Sequence, residues 1–326
     1  MLKRIFALII VMACLISAAC AETTMFVNNP NPADRLHLRK TPNRDSESLG
    51  KYYNGTNVTV LRSQGDWSEV NIGMGNAQQT GWMMTKYLSM TRPDEAMPKY
   101  ASAAKVTAYY QPVRNNKTLT IAAGRMISFM GLIEKSGGNW YHVMVHTGGS
   151  EGPYYAFLPA EDSLQVKALG PGHGVKVYIS NPDKADRLHL RTKPSTESKG
   201  LGKYYNGCEC IMVGFAEEGE WIKVEMYGRS GWMKSDFLTI EGQRNNTYYG
   251  IPTVQTTSAL TPVYAKADMA LDNYEAKIDR GTKMEVLGLI GDDMLHVRLE
   301  SGGLWYVYTA DTDFTDSKKT YFKTNR

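Results

Sequence analysis

The chain has 326 residues, 42% of them hydrophobic and 21% charged, and its aromatic residues are 20 Tyr, 8 Phe and 6 Trp. This composition is typical of folded proteins and argues against disorder over most of the length. The formal net charge of +4 falls to +2 without Lys3 and Arg4, and so weak a basic balance gives no support for a nucleic-acid partner.

The N-terminus has the pattern of a secretory signal peptide, residues 1–21. A basic start, residues 3–4, precedes an apolar run, residues 5–16, and then a group of small residues. Ala19 and Ala21 form an A-x-A cleavage site. We therefore predict cleavage before Glu22 and a secreted mature chain.

Lipidation of Cys20 is the alternative fate of this N-terminus. Ser17 stands three residues before Cys20, where bacterial lipoprotein signals prefer Leu, so we favour free secretion, into the extracellular space or to the cell surface. No later apolar stretch approaches the ~20 residues of a membrane span, and none is predicted.

Two blocks of sequence recur at a spacing of 152 residues. Asp34–Arg39 (DRLHLR) returns as Asp186–Arg191, and Gly50–Gly55 (GKYYNG) returns as Gly202–Gly207. The repeated unit is about 65 residues long, and self-similarity at a fixed period indicates tandem modules. The repeat therefore favours a modular binding protein over a single large catalytic core.

The first copy reads as a series of short strands separated by turns. Apolar residues alternate within short runs, and Asn, Gly and Pro stand between the runs; the runs centre on Leu36 and Leu38, Val58 and Val60, Trp67 to Ile72, and Gly81 to Met83. Strands at ~10-residue spacing predict a small β-barrel or sandwich.

The order of these pieces resembles the bacterial SH3 domain family. The matching elements in the first copy are Leu36–Arg39, Pro42, Leu49-Gly50, Asn54-Gly55, Val58–Leu61, Gly65–Trp67, Gly81–Met83 and Tyr87-Leu88. The second copy repeats the series with Leu188–Arg191, Pro194, Leu201-Gly202, Asn206-Gly207, Gly219–Trp221, Gly231–Met233 and Phe237-Leu238. The resemblance covers residues 24–90 (unit A1) and 175–241 (unit A2). The Asp-Arg prefix and the doubled Tyr depart from the family pattern.

The intervening segments match each other more weakly. Met130–Ile133 corresponds to Leu287–Ile290, and His142-Val143 corresponds to His296-Val297. We interpret residues 99–166 (unit B1) and 252–315 (unit B2) as divergent SH3-like β domains. The predicted fold is all-β, an A-B-A-B series of tandem small SH3-like β-barrels. The glycines of residues 170–174 predict a hinge between the two A-B pairs.

Cys208 and Cys210 are the cysteines of the predicted mature chain. They lie at i and i+2 of a strand-like run and so point to one face. We expect Cys210 to be a small core residue, because its counterpart in the first copy is Val58. A local disulfide or redox pair is the alternative, and a metal site would need further ligands that are not nearby.

His37, His189, Arg39 and Arg191 alternate with the strand leucines, so their side chains point outward if the leucines point inward. Two interpretations stay open. Each His-Arg pair either braces a loop carboxylate, such as Asp34 or Asp186, or forms a polar patch that contacts ligand.

The doubled tyrosines divide into two roles. The family pattern places Tyr52 and Tyr204 in the core, which leaves Tyr53 and Tyr205 facing outward as candidate ligand contacts. Turn packing is the alternative role for these two. The tryptophans of the A units are expected in the barrel core or rim.

The resemblance implies binding of a cell-wall polymer or peptide, or of an extracellular protein. The sequence contains no recognisable catalytic constellation, so we predict a secreted, multivalent, non-enzymatic protein that recognises cell-wall peptidoglycan or its peptides, with no cofactor or metal. The alternatives are a cell-surface protein–protein adaptor or scaffold and an unrecognised cell-wall hydrolase. Repeated weak sites on one chain would gain avidity for a polymer.

Overall fold

The computed structural model describes residues 23–94, 97–115, 117–147, 152–183, 186–216, 218–240, 251–267 and 274–316. The predicted signal peptide, its cleavage point and Cys20 lie outside these ranges. Within them the chain forms 27 β-strands and short 3₁₀ turns, and no α-helix. The all-β prediction is confirmed. None of the described residues forms a helix of the length and apolarity that crossing a bilayer demands.

Unit A1 contains seven antiparallel strands. They are Thr23–Val27 (β1), Leu36–Arg39 (β2), Ser48–Tyr52 (β3), Asn57–Gln64 (β4), Trp67–Ile72 (β5), Gln79–Met84 (β6) and Leu88–Ser89 (β7). Their hydrogen-bonding order is β3-β2-β6-β5-β4-β1-β7. Leu36 and Leu38 are buried while His37 and Arg39 are partly exposed, as the alternation predicts.

Unit B1 contains seven further strands. They are Lys99–Ser102 (β8), Val106–Tyr109 (β9), Thr118–Ile121 (β10), Met126–Ile133 (β11), Trp140–His146 (β12), Tyr154–Pro159 (β13) and Val166–Ala168 (β14). Strands β11, β12 and β13 pair in succession, and a β-bulge interrupts β11 between Phe129 and Gly131.

Unit A2 repeats the strand order of A1. Its strands are Val175–Ile179 (β15), Leu188–Arg191 (β16), Gly200–Tyr204 (β17), Glu209–Phe215 (β18), Trp221–Met226 (β19), Arg229–Lys234 (β20) and Leu238–Ile240 (β21). Their order is β17-β16-β20-β19-β18-β15-β21. Equivalent apolar patterns thus produce equivalent pairings.

Unit B2 follows the plan of B1. Its strands are Thr253–Gln255 (β22), Leu260–Val263 (β23), Ala276–Asp279 (β24), Lys283–Ile290 (β25), Met294–Leu299 (β26) and Leu304–Tyr308 (β27). Strand β25 has a bulge between Val286 and Gly288, at the place that corresponds to the bulge in β11.

Each A unit joins its B unit through a continuous sheet. Strand β3 pairs with β11 through Tyr52 opposite Gly131, and β17 pairs with β25 through Tyr204 opposite Gly288. One buried cluster contains Leu38 and Tyr52 of A1 together with Phe157 of B1. We call these two junctions the first seam and the second seam. The boundaries of the four units stay a prediction, because the sheets run across them.

Units B1 and A2 also pack together, which differs from the expected hinge. Lys99 Nζ donates a hydrogen bond to the Phe215 carbonyl at 2.7 Å, and the His146 ring lies 5.0 Å from the Phe215 ring. Met126 of B1 belongs to the buried cluster of A2. The linker of residues 170–174 also packs closely against A2, since a Cβ at Gly174 would lie 1.8 Å from the Met212 carbonyl oxygen.

Candidate functional site

The tyrosines predicted to contact ligand lie on the seams. Tyr53 directly follows β3, and its backbone N–H donates to the Met130 carbonyl at 2.8 Å; Tyr205 follows β17 and donates to Leu287 at 3.0 Å. Both side chains are half-buried and pack against the cores. Each therefore presents one side to solvent and supports the A–B junction with the other.

An arginine covers each of these tyrosines. The Arg35 guanidinium lies 5.2 Å from the Tyr53 ring centroid, and Arg187 lies 5.4 Å from that of Tyr205. Such stacking is a cation–π contact. In the sequence, these arginines were notable only because the Asp-Arg prefix departs from the family pattern, and their contact with tyrosine was not predicted.

The two copies of this arrangement differ in accessibility. Arg187 is 5% exposed and forms an ion pair with Asp316 at 3.0 Å, so the guanidinium of the second patch is already paired with a carboxylate of this chain. Arg35 is half-buried, and no carboxylate of the described ranges reaches its guanidinium within ion-pair distance. Of the two, the Tyr53–Arg35 patch is the more open to a ligand.

His37 and His189 stand beside lysines on the outer face of the sheet. They pair across the strands with Lys51 and Lys203. Partial burial lowers the pKa of both, and nearby cations lower it further: Arg39 and Lys51 act on His37 in this way. His37 Nδ1 lies 2.9 Å from Ser48 Oγ. The counterpart of Ser48 is Gly200, so this hydroxyl partner is missing beside His189.

Arg39 and Arg191 brace a loop, but through carbonyls and not through the expected carboxylates. Arg39 Nη1 donates to the Ser46 carbonyl at 2.6 Å, and Arg191 Nη1 donates to Ser198 at 2.8 Å. The Asp34 carboxylate instead accepts the backbone N–H of Arg35 at 2.9 Å. Bracing accounts for both arginines, and their contact with ligand stays a prediction.

A buried tyrosine–histidine pair occupies the centre of each seam. The Tyr52 hydroxyl lies 3.1 Å from His142 Nδ1, and the Tyr204 hydroxyl lies 3.2 Å from His296 Nδ1. All four side chains are almost fully buried. Burial lowers the pKa of His142 to about 3 and that of His296 to about 4, so both imidazoles are neutral at physiological pH. The repeated histidines were visible in the sequence, but their tyrosine partners were not.

Cys208 and Cys210 are free, buried thiols of the A2 core, as the core interpretation predicts for Cys210. Cys208 Sγ donates to the Leu287 carbonyl at 3.2 Å, where Thr56 Oγ1 donates to Met130 in the first seam. Burial raises the pKa of Cys208 to about 12 and also raises that of Cys210.

Within the ranges given above, no three His, Cys, Asp or Glu side chains form a group able to hold a metal ion.

A groove of about 780 Å³ lies between A1 and B1. One wall is the loop after β5, which includes Met74 and Asn76, and the other is formed by unit B1 with Tyr110, Tyr154 and Arg125. Sequence reasoning missed this groove, because its walls meet only when the first seam forms.

Comparison with known proteins identifies part of the chain. The family model described as "Bacterial SH3 domain" matches residues 34–89. The chain is also similar to the "Putative N-acetylmuramoyl-L-alanine amidase YrvJ" of Bacillus subtilis (strain 168), with 24% identity over 162 residues, 48% of this chain. The match spans 30% of that relative's length.

The resemblance drawn for A1 is confirmed by this match. The matched residues begin at Asp34 and end at Ser89, and so include β2 to β7 and the motifs from Leu36 to Leu88. Residues 34–89 of this chain form a bacterial SH3 domain.

Proposed function

We propose that the chain is a secreted, non-enzymatic protein that binds cell-wall peptidoglycan or its peptides. The observation that carries this proposal is the bacterial SH3 domain at residues 34–89. The relative's printed name adds support, since N-acetylmuramoyl-L-alanine is the sugar–peptide linkage of peptidoglycan. We transfer the wall association, and not the hydrolysis, because the match spans only 30% of that protein.

The Tyr53–Arg35 patch is the ligand contact that this function would use first. Tyrosine offers a large, rigid contact face together with a polar tip, and a neighbouring guanidinium attracts carboxylates. Tyr205 offers a second, less accessible contact, because its neighbouring Arg187 is already paired with Asp316. Two unequal sites on one chain would still gain avidity on a polymer that engages both.

The state of the thiols and buried histidines supports a non-enzymatic role. A cysteine nucleophile needs an accessible thiolate, whereas Cys208 and Cys210 are buried with raised pKa values. His142 and His296 are poor candidates for a general base, since both are buried beside tyrosine hydroxyls at the seams.

Sedimentation of the chain from Glu22 with purified insoluble peptidoglycan at physiological salt tests the binding proposal. We expect retention of the wild type, weaker retention of Tyr53→Ala, and the weakest retention of Tyr53→Ala/Tyr205→Ala. Tyr274→Ala is the matched control, because Tyr274 is an exposed tyrosine of B2. Absence of wild-type retention would contradict wall binding and would favour the adaptor alternative.

Zymography on cell-wall substrate tests the non-enzymatic part of the proposal. We expect no cleared band from the purified chain. A cleared band that persists after repurification would establish a hydrolase and overturn this part.

A further inference from the structure

The groove between A1 and B1 has the size and lining of a small-ligand site. Its volume of about 780 Å³ lies within the ~300–1,000 Å³ of typical ligand pockets. Tyr110, Tyr154 and Tyr155 line it together with Leu119. Met74 stands at the rim and is 68% exposed, which is unusual for so apolar a side chain.

The groove exists because the first copy carries a longer loop than the second. Six residues, 73–78, connect β5 to β6, whereas two residues, Tyr227 and Gly228, connect β19 to β20. The longer loop is held against the first seam, since a Cβ at Gly73 would lie 2.9 Å from His142 Nε2. The groove wall is therefore a built part of the A1–B1 junction.

The groove-lining residues of B1 also change in B2. In the strand register, Tyr154 and Tyr155 correspond to Gly303 and Leu304, because the paired residues His142–Phe157 and His296–Tyr306 are equivalent. Arg125 follows Gly124 as Thr282 follows Gly281. The two A-B pairs thus have equivalent residues at their seams and different residues at the positions that line the groove.

The charge of the groove is set by Arg125. Among the described residues that line the groove it is the only charged one, and none of them is Asp or Glu. Its Nη1 donates to the Thr147 carbonyl, and no described carboxylate lies within ion-pair distance. Burial raises the pKa of Tyr154 beside it, so that phenol stays neutral. A positive, aromatic-walled groove is complementary to a small ligand with a carboxylate.

We propose that this groove binds a short peptide by its free carboxylate, with Arg125 as the anion contact and the three tyrosines as side walls. Arginine presents a planar fork of donors that fits a carboxylate, and tyrosine is well suited to peptide contacts. The proposal rests on the proposed wall-binding function, for which the peptide part of peptidoglycan is the ligand.

Calorimetric titration of the chain from Glu22 with a synthetic wall tetrapeptide, Ala-γGlu-Lys-Ala, tests this site. The comparison ligand is the same peptide with its carboxylates amidated. We expect the free acid to bind the wild type, and the amidated peptide and Arg125→Gln each to bind roughly tenfold or more weakly, since a hydrogen bond to a charged group is lost.

Met74 provides a pair of variants that leave the fold intact, because its side chain is exposed. Met74→Glu should weaken binding of the free acid by like-charge repulsion, and Met74→Lys should bind the free acid more tightly than Met74→Glu does. Leu304→Ala, at the position in B2 that corresponds to Tyr155, is the control and should bind as the wild type does.

Two results would overturn the groove proposal. One is equal affinity of the wild type, Arg125→Gln and Met74→Glu for the free acid. The other is absence of peptide binding by a wild type that still sediments with peptidoglycan, which would leave the wall-binding function standing without this site. Failure of both peptide binding and sedimentation would reject the function together with the site.

Discussion

His142 and His296 make the stability of the seams depend on pH. In the unfolded chain an imidazole takes up its proton near pH 6.5, whereas the folded values are lowered by burial to about 3 and about 4. Between pH 6.5 and these folded values, the unfolded state therefore binds more protons than the folded state does. The stability from neutral burial is complete above pH 6.5 and is lost as the pH falls toward the folded values.

Urea unfolding at pH 7.5, 6, 5 and 4 measures this effect. We expect the free energy of unfolding to decrease with each step below pH 6.5. In His142→Gln/His296→Gln the decrease should be smaller, because the variant lacks these two titrating groups. If the free energy of unfolding fell equally steeply with pH in the variant and the wild type, His142 and His296 would not be the source of the pH dependence.

The Arg187–Asp316 pair is a buried interaction, in contrast to the surface ion pairs. Arg187 and Asp316 side chains are 5% and 13% exposed, whereas those of Lys40 and Glu47 are 66% and 65% exposed. Removing one partner of a buried pair leaves an uncompensated charge, which costs about 3–5 kcal/mol, and exposed pairs contribute about 0–1 kcal/mol. We expect Asp316→Asn to destabilise the chain far more than Glu47→Gln in urea unfolding. Equal effects would show that Asp316 does not hold Arg187 in solution.

At the level of elements, the missing side chain of Gly131 in β11 allows two strands from different units to approach closely. A Cβ at Gly131 would lie 2.7 Å from Tyr52 Cδ1 and 2.9 Å from the Lys51 carbonyl oxygen. The Gly131→Ala change would therefore force β3 and β11 apart. Overpacking of this kind typically costs about 1–3 kcal/mol.

Urea unfolding of Gly131→Ala and Gly137→Ala compares a seam glycine with an unconstrained one. A Cβ at Gly137 would meet no atom within 4 Å, and the residue has no positive φ. We expect a clear loss of stability for Gly131→Ala and little change for Gly137→Ala. A Gly131→Ala variant as stable as the wild type would contradict the close approach of the two strands.

For the whole molecule, contacts at three junctions join the units in series. The two seams are continuous sheets, and Lys99 and Phe215 connect B1 to A2. We expect a substitution in one strand of a seam to destabilise the other strand of that seam before it affects the rest of the chain. The two strands of a seam share backbone hydrogen bonds, whereas B1 and A2 are joined by side-chain contacts.

Hydrogen–deuterium exchange of Gly131→Ala measures this coupling. Protection should fall together in β3 and β11, including the Tyr53 amide that donates to Met130. The Tyr205 amide of the second seam should keep its protection. Loss confined to β11, or equal loss in both seams, would be inconsistent with seams as the units of cooperativity.

The sequence by itself determined the all-β fold, the order of the motifs along A1, and the inward position of Leu38. These features follow from local alternation and turn residues, which act over a few positions. The inward position of Tyr52 was implied by the resemblance to the bacterial SH3 domain family. The core location of Cys210 followed from the register between the two copies.

Only the tertiary structure decided what the candidate site residues contact. Tyr52 meets His142 across 90 positions and Arg187 meets Asp316 across 129, and no local pattern carries such pairings. The half-burial of Tyr53 and the groove at Arg125 result from the docking of one unit on another. Arg39 and Arg191 instead donate to carbonyls seven residues away within their own units. Docking depends on the complementarity of two folded surfaces, and a linear pattern of apolar residues specifies each surface without specifying its partner.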